Sequence, residues 1–160
     1  MEKISLMMAT YNRLELTKQT IDNIKKRTKC DYELIIVDNG STDGTVDYIK
    51  TITNHLILNK ENLGIGRARN QALFYADKIG TDWYATIDND IDVPDNWLSD
   101  CIDILKNNSD YGAIGANMEG TAYPIIIKNG CTFQNKPQGN LGTACMVFRK
   151  QLHQAIGFFK

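Results

Sequence analysis

Residues 84–92 of this chain have the sequence Tyr84-Ala85-Thr86-Ile87-Asp88-Asn89-Asp90-Ile91-Asp92. An apolar stretch typical of a buried strand ends here in three alternating carboxylates. Aspartate is unfavourable in strands and neighbouring like charges repel each other, so the arrangement lowers stability unless a cation or hydrogen-bond donors balance it. One explanation is a solvated turn whose aspartates bond to backbone groups. The other is a site for a hard divalent metal that carries a phosphate ligand.

Apolar strands alternate with helical segments through the first two thirds of the chain. This βαβ alternation predicts an α/β fold in which a mainly parallel sheet is covered by helices on both faces. Short extended pieces over residues 119–142, with the turn signal Asn129-Gly130, predict a small antiparallel part near the C-terminus. The predicted strands are 4–8, 34–37, 55–58, 83–87, 113–116 and 144–148, and the predicted helices are 15–29, 64–79, 94–106, 150–156 and one that follows cap residues 41–44 and ends near residue 50.

The length of 160 residues indicates one domain. The composition argues against a nucleic-acid-binding protein, a membrane-spanning protein and a protein held together by zinc or disulfides. A net charge of -1 provides no global basic field, so no nucleic-acid partner is expected. No apolar run approaches the roughly 20 residues that cross a bilayer, so we expect a cytoplasmic location, either free or peripheral at the inner membrane face. The four widely spaced cysteines and two histidines favour neither a zinc site nor a disulfide framework.

Polar clusters follow three of the predicted strands. Thr10-Tyr11-Asn12-Arg13 follows the first strand, Asp38-Asn39-Gly40-Ser41 the second, and Asp88-Asn89-Asp90 the fourth. Each cluster taken alone suits a turn or a helix cap. Ligands of open α/β sheets bind beyond the carboxyl ends of the strands, so the joint placement of the three clusters favours a binding site.

The segment Gly64-Ile65-Gly66-Arg67-Ala68-Arg69 begins like a dinucleotide-binding fingerprint. It departs from that motif because Arg69 stands where the third glycine is needed, and because it follows the third strand instead of the first. What remains is a helix N-terminus with Arg67 and Arg69 close by, which suits an anion such as phosphate. The alternative is a pair of arginines on a solvated helix face.

Four motifs, in this order and with ordinary spacing, resemble family 2 glycosyltransferases of the GT-A fold. They are residues 5–13 with Thr-Tyr-Asn-Arg, residues 33–45 with Val-Asp-Asn-Gly-Ser-Thr-Asp-Gly, residues 62–70, and Asp88-Asn89-Asp90 followed by Pro94 and Trp97-Leu98. The resemblance implies a GT-A type nucleotide-diphospho-sugar transferase fold over residues 1–160. It also implies a nucleotide-binding half at residues 1–92 and an incomplete acceptor-side half at residues 93–160.

The resemblance further implies a metal-dependent transferase that moves a sugar from a UDP-sugar to a hydroxyl of a saccharide or other acceptor, with inversion. Asp38 would accept a hydrogen bond from the base. Asp88 would contact the ribose or the metal and its water, and Asp90, completing a DxD motif, would coordinate a Mn2+ or Mg2+ that bridges the two phosphates. Asp92 would either lie behind the residues that contact the metal or cap the next helix, and the cap is the favoured interpretation. The other residues expected at the nucleotide are Thr10, Tyr11, Arg13, Arg67, Arg69 and Asn89.

The acceptor side departs from the family pattern. Gly139-Asn140-Leu141-Gly142-Thr143 resembles the loop that borders the acceptor, but no residue before Lys160 matches the carboxylate base that family members carry further on. We therefore expect a short or truncated chain with no general base assigned. If residues have been lost beyond Lys160, we expect an exposed apolar face that self-association would cover. A nucleotide-sugar-binding module without transferase activity is the main alternative. Nucleotidyl transfer is disfavoured because no glycine-rich basic loop follows the first strand.

Overall fold

The computed structural model describes residues 2–116, 125–134, 142 and 144–159. Its strands are β1 (Ile4–Thr10), β2 (Glu33–Asp38), β3 (Leu56–Leu58), β4 (Trp83–Asp88), β5 (Ala113–Gly115), β6 (Ile125–Lys128), β7 (Cys131–Gln134) and β8 (Cys145–Arg149). Its helices are α1 (Leu14–Arg27), α2 (Thr45–Ile49), α3 (Ile65–Lys78), α4 (Trp97–Asn107) and α5 (Lys150–Ile156). The predicted α/β alternation is confirmed.

A six-stranded sheet in the order β3-β2-β1-β4-β8-β5 forms the centre of the fold. The first four strands in this order are parallel, and β8 runs antiparallel to both β4 and β5. The parallel strands have almost continuous apolar sequences because helices cover both of their faces. The register pairs Thr10 with Asp38 and Ala9 with Asp88, so the carboxyl ends of β1, β2 and β4 lie side by side.

The hydrophobic core has one part on each face of the sheet. On one face, Ile21 of α1, Ile49 of α2 and Ile102 of α4 belong to the larger cluster. On the other face, Ala72 and Leu73 of α3 belong to a second cluster, against which α5 also packs. The longest helices, α1 and α3, have 14 residues each. No helix in the described part of the chain is both long enough and apolar enough to span a membrane.

The antiparallel part near the C-terminus is also confirmed. Strands β6 and β7 form a separate two-stranded sheet joined by Asn129 and Gly130. Both turn residues have positive φ, 50° and 78°, as a two-residue hairpin of this hand requires. Residues 117–124 and 135–141, over which further short extended pieces were predicted, lie outside the described residues.

Three parallel strands are longer than predicted at their carboxyl ends. The residues Thr10, Asp38 and Asp88 are the last residues of β1, β2 and β4, not the first residues of the following loops. Pairing with the neighbouring strand extends each of these ends, because the backbone groups of polar residues complete the ladder as well as those of apolar ones.

The helix predicted to start at residue 94 begins instead at Trp97. The preceding Asn96 has a left-handed φ of 61°, and its N–H donates to the carbonyl of Arg27 at the end of α1, at 2.8 Å. This contact between two distant segments keeps residue 96 out of the helix. The prediction that Asp92 caps the helix is wrong, because Asn96 occupies the N-cap position and no side chain bonds there.

We predict that Gly40→Ala lowers the free energy of unfolding by about 2–4 kcal/mol. Gly40 has a φ of +84°, and an added Cβ would lie 2.9 Å from the Cα of Glu61. The alanine would therefore be strained by its left-handed φ and would also clash with the backbone of Glu61, which cannot move aside by changing a side-chain rotamer. Urea unfolding measures the loss, with Gly80→Ala as the control.

Gly80 has a similar φ of +78°, but no described atom lies within 4 Å of its added Cβ. The control should lose only the conformational term of about 1–2 kcal/mol. Equal losses at the two positions would show that the approach of Glu61 to Gly40 is unimportant.

Candidate functional site

An open cleft of about 300 Å³ lies beyond the carboxyl ends of β1, β2 and β4. Ligands of parallel α/β sheets bind at this end, where the loops can approach a small molecule with their backbone and side-chain polar groups. Among the described residues, the cleft is lined by Ala9, Thr10, Tyr11, Arg13, Asn39, Asn62, Ile65, Asp88, Asn89 and Asp90.

The loop between β1 and α1 has two consecutive residues in the left-handed region, Asn12 with φ 56° and Arg13 with φ 61°. Such residues cost about 1–3 kcal/mol each unless their surroundings hold them. The N–H of Asn12 donates to the Oγ of Ser41 at 2.7 Å, and the Oδ1 of Asn12 accepts from the N–H of Thr42 at 2.8 Å. The loop after β2 thus holds the loop after β1.

Asp38 anchors the second of these loops. Its side chain is buried, and its Oδ2 accepts from the N–H groups of Gly40 at 2.9 Å and Ser41 at 2.8 Å. The hydroxyl of Ser41 donates to the Oδ1 of the same carboxylate. Since this hydroxyl also accepts from Asn12, one carboxylate fixes both loops. The predicted contact of Asp38 with a base stays a prediction.

Asp43 fixes the starts of two helices at once. Its Oδ2 accepts from the N–H of Leu14 in α1 at 2.9 Å, and its Oδ1 accepts from the N–H of Thr45 in α2 at 3.1 Å. The hydroxyl of Thr45 donates to the same oxygen and is the main reason that the pKa of Asp43 lies below its usual value. The predicted capping role of residues 41–44 is thereby confirmed.

Asp88 and Arg69 form a close pair on the inner side of the cleft. The Nη2 of Arg69 lies 2.6 Å from the Oδ1 of Asp88, and the two side chains are 11% and 32% exposed. Burial raises the pKa of Asp88 above its usual value, while the charge of Arg69 opposes that rise and the carboxylate of Asp90 adds to it. Arg69 therefore offsets part of the cost of burying the Asp88 carboxylate at the end of β4.

Asp90 and Arg13 form the second pair, at the mouth of the cleft. The Nη1 of Arg13 lies 2.9 Å from the Oδ2 of Asp90, and the side chains are 61% and 39% exposed. Between the two carboxylates, the amide of Asn89 donates to the hydroxyls of Thr10 at 3.2 Å and Thr17 at 3.0 Å. These bonds fix the loop that carries Asp90 against β1 and α1.

A group of side-chain amides connects α3 to the cleft. The Nδ2 of Asn59 donates to the Oδ1 of Asn39 and to the Oε1 of Gln71, both at 2.9 Å. The N–H of Gly64 donates to the Oδ1 of Asn62 at 2.9 Å. These contacts hold the N-terminal half of α3, and with it Arg69, beside the strand ends.

The structure brings six of the predicted site residues together at the cleft: Thr10, Tyr11, Arg13, Asp88, Asn89 and Asp90. Asp38 and Arg69 do not line it, and instead hold the loop after β2 and the Asp88 carboxylate. Arg67 is exposed on α3. The predicted acceptor loop at residues 139–143 lies outside the described residues, apart from Gly142.

Four residues that line the cleft were not among the predicted site residues, namely Ala9, Asn39, Asn62 and Ile65. The parallel arrangement of the strands is the sequence-level signal that could have identified residues of the loops after β2 and β3. The loops that follow β2 and β3 must emerge at the same end of the sheet as the loop that follows β4, so residues early in both loops were candidates.

Asp88 and Asp90 are the carboxylates in this cleft that can hold a divalent metal. Within the described residues, no group of three or more His, Cys, Asp or Glu is arranged to hold a metal by itself. Mg2+ at nucleotide sites usually takes one or two carboxylates together with substrate phosphates and water. Two hard oxygen donors beside a cleft that opens to solvent therefore fit such an ion.

Comparison with known proteins places this site in a family. The chain matches the family model of Glycosyl transferase family 2 over residues 5–152. The chain belongs to this family. The matched residues include all three strand ends and both carboxylate–arginine pairs. Every described residue that lines the cleft of this family 2 glycosyltransferase therefore lies within the part of the chain that matches the family model.

Two relatives illustrate the sequence match. An uncharacterized glycosyltransferase of Haemophilus influenzae is 26% identical over 134 residues, which are 80% of this chain and 39% of the relative. WfgD of Escherichia coli, a UDP-Glc:alpha-D-GlcNAc-diphosphoundecaprenol beta-1,3-glucosyltransferase, is 28% identical over 161 residues, 90% of this chain and 58% of the relative. The chain therefore spans less than two thirds of either relative.

Solved structures confirm the GT-A fold. The mannosyltransferase PcManGT from Pyrobaculum calidifontis, in complex with GDP-Man and Mn2+, superposes with a TM-score of 0.73 at 20% identity, over 99% of this chain and 47% of that one. TarS 1-349 from S. aureus, in complex with UDP-GlcNAc, gives a TM-score of 0.68 at 18% identity, over 98% of this chain and 48% of that one.

We predict that Arg69→Gln raises the pKa of Asp88 further, because the charge of Arg69 is what opposes the effect of burial. A carboxyl whose folded pKa is raised binds its proton more tightly in the native state. Stability therefore falls as pH rises from the unfolded-chain value of about 3.9 through the folded pKa, and the fall should be larger in the variant. NMR titration of the side-chain carboxyl carbon measures the pKa directly.

Arg67→Gln is the matched control for this titration. Residues two apart on a helix do not face each other, and Arg67 is exposed where Arg69 is not. The control should titrate like the unmodified protein. If the two variants titrate alike, the ion pair does not set the ionisation of Asp88.

Proposed function

We propose that this chain transfers a sugar from a UDP-sugar to an acceptor hydroxyl, with a divalent metal and with inversion at the anomeric carbon. The proposal is carried by the pairing of Asp88 with Arg69 and of Asp90 with Arg13 at the carboxyl end of a parallel sheet. Two carboxylates for a metal ion and a guanidinium group in the cleft for phosphates, that of Arg13, are groups that recognise a nucleoside diphosphate.

The nucleotide would occupy the cleft between the loops that follow β1 and β2. Tyr11 is 47% exposed beside it, so its ring offers a face for a base. Thr10 and Asn39 line the same wall, and Asp38 holds the loop from behind. The two structural neighbours were solved with different bases, GDP-Man in one and UDP-GlcNAc in the other, so the choice of uridine is part of the test.

Asp90 and Asp88 would hold Mn2+ or Mg2+ together with the two phosphates of the donor. When bound, such an ion would neutralise the charge that develops on the leaving diphosphate. Arg13 would orient the phosphate oxygens through charge-assisted hydrogen bonds, and Arg69, which does not line the cleft, would hold Asp88 in place. Asn89, held by Thr10 and Thr17, would keep the two carboxylates at a fixed separation.

The acceptor would approach from the half formed by residues 93–160, with residues 1–92 as the nucleotide-binding half. Inversion requires a base that takes the proton of the acceptor hydroxyl, and the proposal assigns no residue to that role. The relative from Escherichia coli acts on a diphosphoundecaprenol-linked sugar. A lipid-linked acceptor of that kind would place this protein in the cytoplasm, at the inner face of the membrane.

We predict that Mn2+ strengthens the binding of UDP about tenfold or more in the unmodified protein, and that Asp90→Asn removes most of this effect. The amide keeps the shape of the side chain and removes the charge that would hold the metal. Isothermal titration of UDP with Mn2+, and with chelator in its place, measures both affinities. GDP titrated in parallel decides between the two bases.

Asp92→Asn serves as the control, because it removes the same charge from an exposed carboxylate two residues away that does not line the nucleotide cleft. This variant should keep the metal effect. Equal affinity for UDP with and without Mn2+ in the unmodified protein would contradict a metal-bridged diphosphate.

Transfer itself needs a second measurement. A thermal-shift screen of nucleotide sugars in the presence of Mn2+ identifies the donor, and release of UDP from that donor is then followed with and without a panel of saccharide acceptors. Acceptor-dependent release supports a transferase. Donor binding without acceptor-dependent release supports the nucleotide-sugar-binding module.

A further inference from the structure

The two carboxylates near the end of β4, Asp88 and Asp90, form ion pairs with arginines that differ in how far they are exposed to solvent. Asp88 and Arg69 are largely buried, with side chains 32% and 11% exposed, whereas Asp90 and Arg13 are 39% and 61% exposed. An exposed ion pair contributes only about 0.2–1 kcal/mol and is exchanged easily for another partner. A pair as enclosed as Asp88 and Arg69 is costly to separate, because each charge would remain without its partner.

Arg13 is directed toward Asp90 by the backbone of its loop. Its φ of 61° follows the left-handed Asn12, which Ser41 and Thr42 hold by hydrogen bonds at 2.7 and 2.8 Å. The carbonyl of Arg13 also accepts from the N–H of Thr17 in the first turn of α1, at 3.0 Å. A loop fixed on both sides therefore presents an exposed guanidinium directly at the mouth of the cleft.

The position of Arg13 suits two successive partners. Both Arg13 and Asp90 line the nucleotide cleft, so a phosphate that entered it would come within reach of the same guanidinium. A guanidinium binds phosphate through paired hydrogen bonds at least as well as it binds a carboxylate. A divalent cation, in contrast, competes directly with Arg13 for the oxygens of Asp90.

We propose that Arg13 occupies Asp90 while the cleft is empty and moves to the diphosphate when the nucleotide binds, so that Asp90 is released to the metal only together with the nucleotide. Arg69 stays on Asp88 in both states. The inference rests on the proposed function and goes beyond it, because it makes Arg13 the group that couples metal binding to diphosphate binding. By thermodynamic linkage, the factor by which UDP tightens Mn2+ equals the factor by which Mn2+ tightens UDP.

The test measures the binding of Mn2+ alone, in the absence of any nucleotide. Arg13→Gln removes the competing cation, and we expect it to bind Mn2+ about three- to tenfold more tightly than the unmodified protein. The same variant should bind UDP more weakly when Mn2+ is present. Both changes lower the factor by which UDP and Mn2+ strengthen each other's binding. Electron paramagnetic resonance of free Mn2+ gives the first affinity, and isothermal titration of UDP gives the second.

Two further variants make the result specific. Lys25→Gln, on an exposed residue of α1, removes one positive charge without touching Asp90, and should leave the affinity for Mn2+ alone unchanged. Arg13→Lys keeps the positive charge on a single ammonium group, and its affinity for Mn2+ alone should be close to that of the unmodified protein. Circular dichroism confirms that each variant is folded before it is titrated.

The outcomes separate the inference from the proposed function. If Arg13→Gln binds Mn2+ alone no more tightly than the unmodified protein, or if neither binds it detectably, Arg13 does not withhold Asp90 and the inference is overturned. If Lys25→Gln tightens Mn2+ as much as Arg13→Gln, the effect is general charge and the inference is likewise overturned. If the unmodified protein shows no metal-dependent binding of UDP, the proposed function fails, whatever the affinities for Mn2+ alone.

Discussion

The site depends on the parallel pairing of β1 with β2 on one side and β4 on the other. The register sets Thr10 beside Asp38 and Ala9 beside Asp88, so three loops with polar sequences start within two adjacent strand spacings of one another. A shift of one residue in either pairing would turn the alternate side chains to the opposite face. The buried apolar residues on both faces of these strands prevent that shift, so the core fixes the geometry of the cleft.

The carboxylates at this end of the sheet are balanced by contacts that the chain itself supplies. Asp38 uses backbone N–H groups and a hydroxyl, Asp43 uses the first turns of α1 and α2, and Asp88 uses Arg69. Each of these three carboxylates is held by more than one hydrogen bond or by a partly buried ion pair. Asp90, which has an exposed partner, is the carboxylate that the fold leaves exchangeable. For Asp38 and Asp88 the division follows from burial, since desolvation makes the loss of a partner costly. Asp43 is exposed and is held instead by three hydrogen bonds from Leu14 and Thr45.

Much of this could be predicted from the sequence. The alternation of strands and helices, the hairpin at Asn129 and the cluster of polar loops at one end of the sheet are consequences of local patterns. The start of α4 was predicted wrongly because a contact between Asn96 and the distant Arg27 overrides the local signal of Pro94. Similarly, no local pattern indicates that Arg13 contacts Asp90, 77 residues away. Nor does the sequence indicate that the Asp38 carboxylate accepts hydrogen bonds from its own loop.

The elements near the C-terminus also support the site, although the described residues that line the cleft all lie between Ala9 and Asp90. The N–H of Asp88 donates to the carbonyl of Ala144 at 2.8 Å, where the antiparallel pairing of β4 with β8 begins. Asn70 exchanges two hydrogen bonds of 2.8 Å with the backbone of Phe159, beyond α5. Because Asn70 follows Arg69 directly, the segment after α5 braces the turn of α3 that holds the Asp88 carboxylate. The ion pair of Asp88 and Arg69 is thus supported from both halves of the chain, whereas the pair of Arg13 and Asp90 is carried by the loops after β1 and β4.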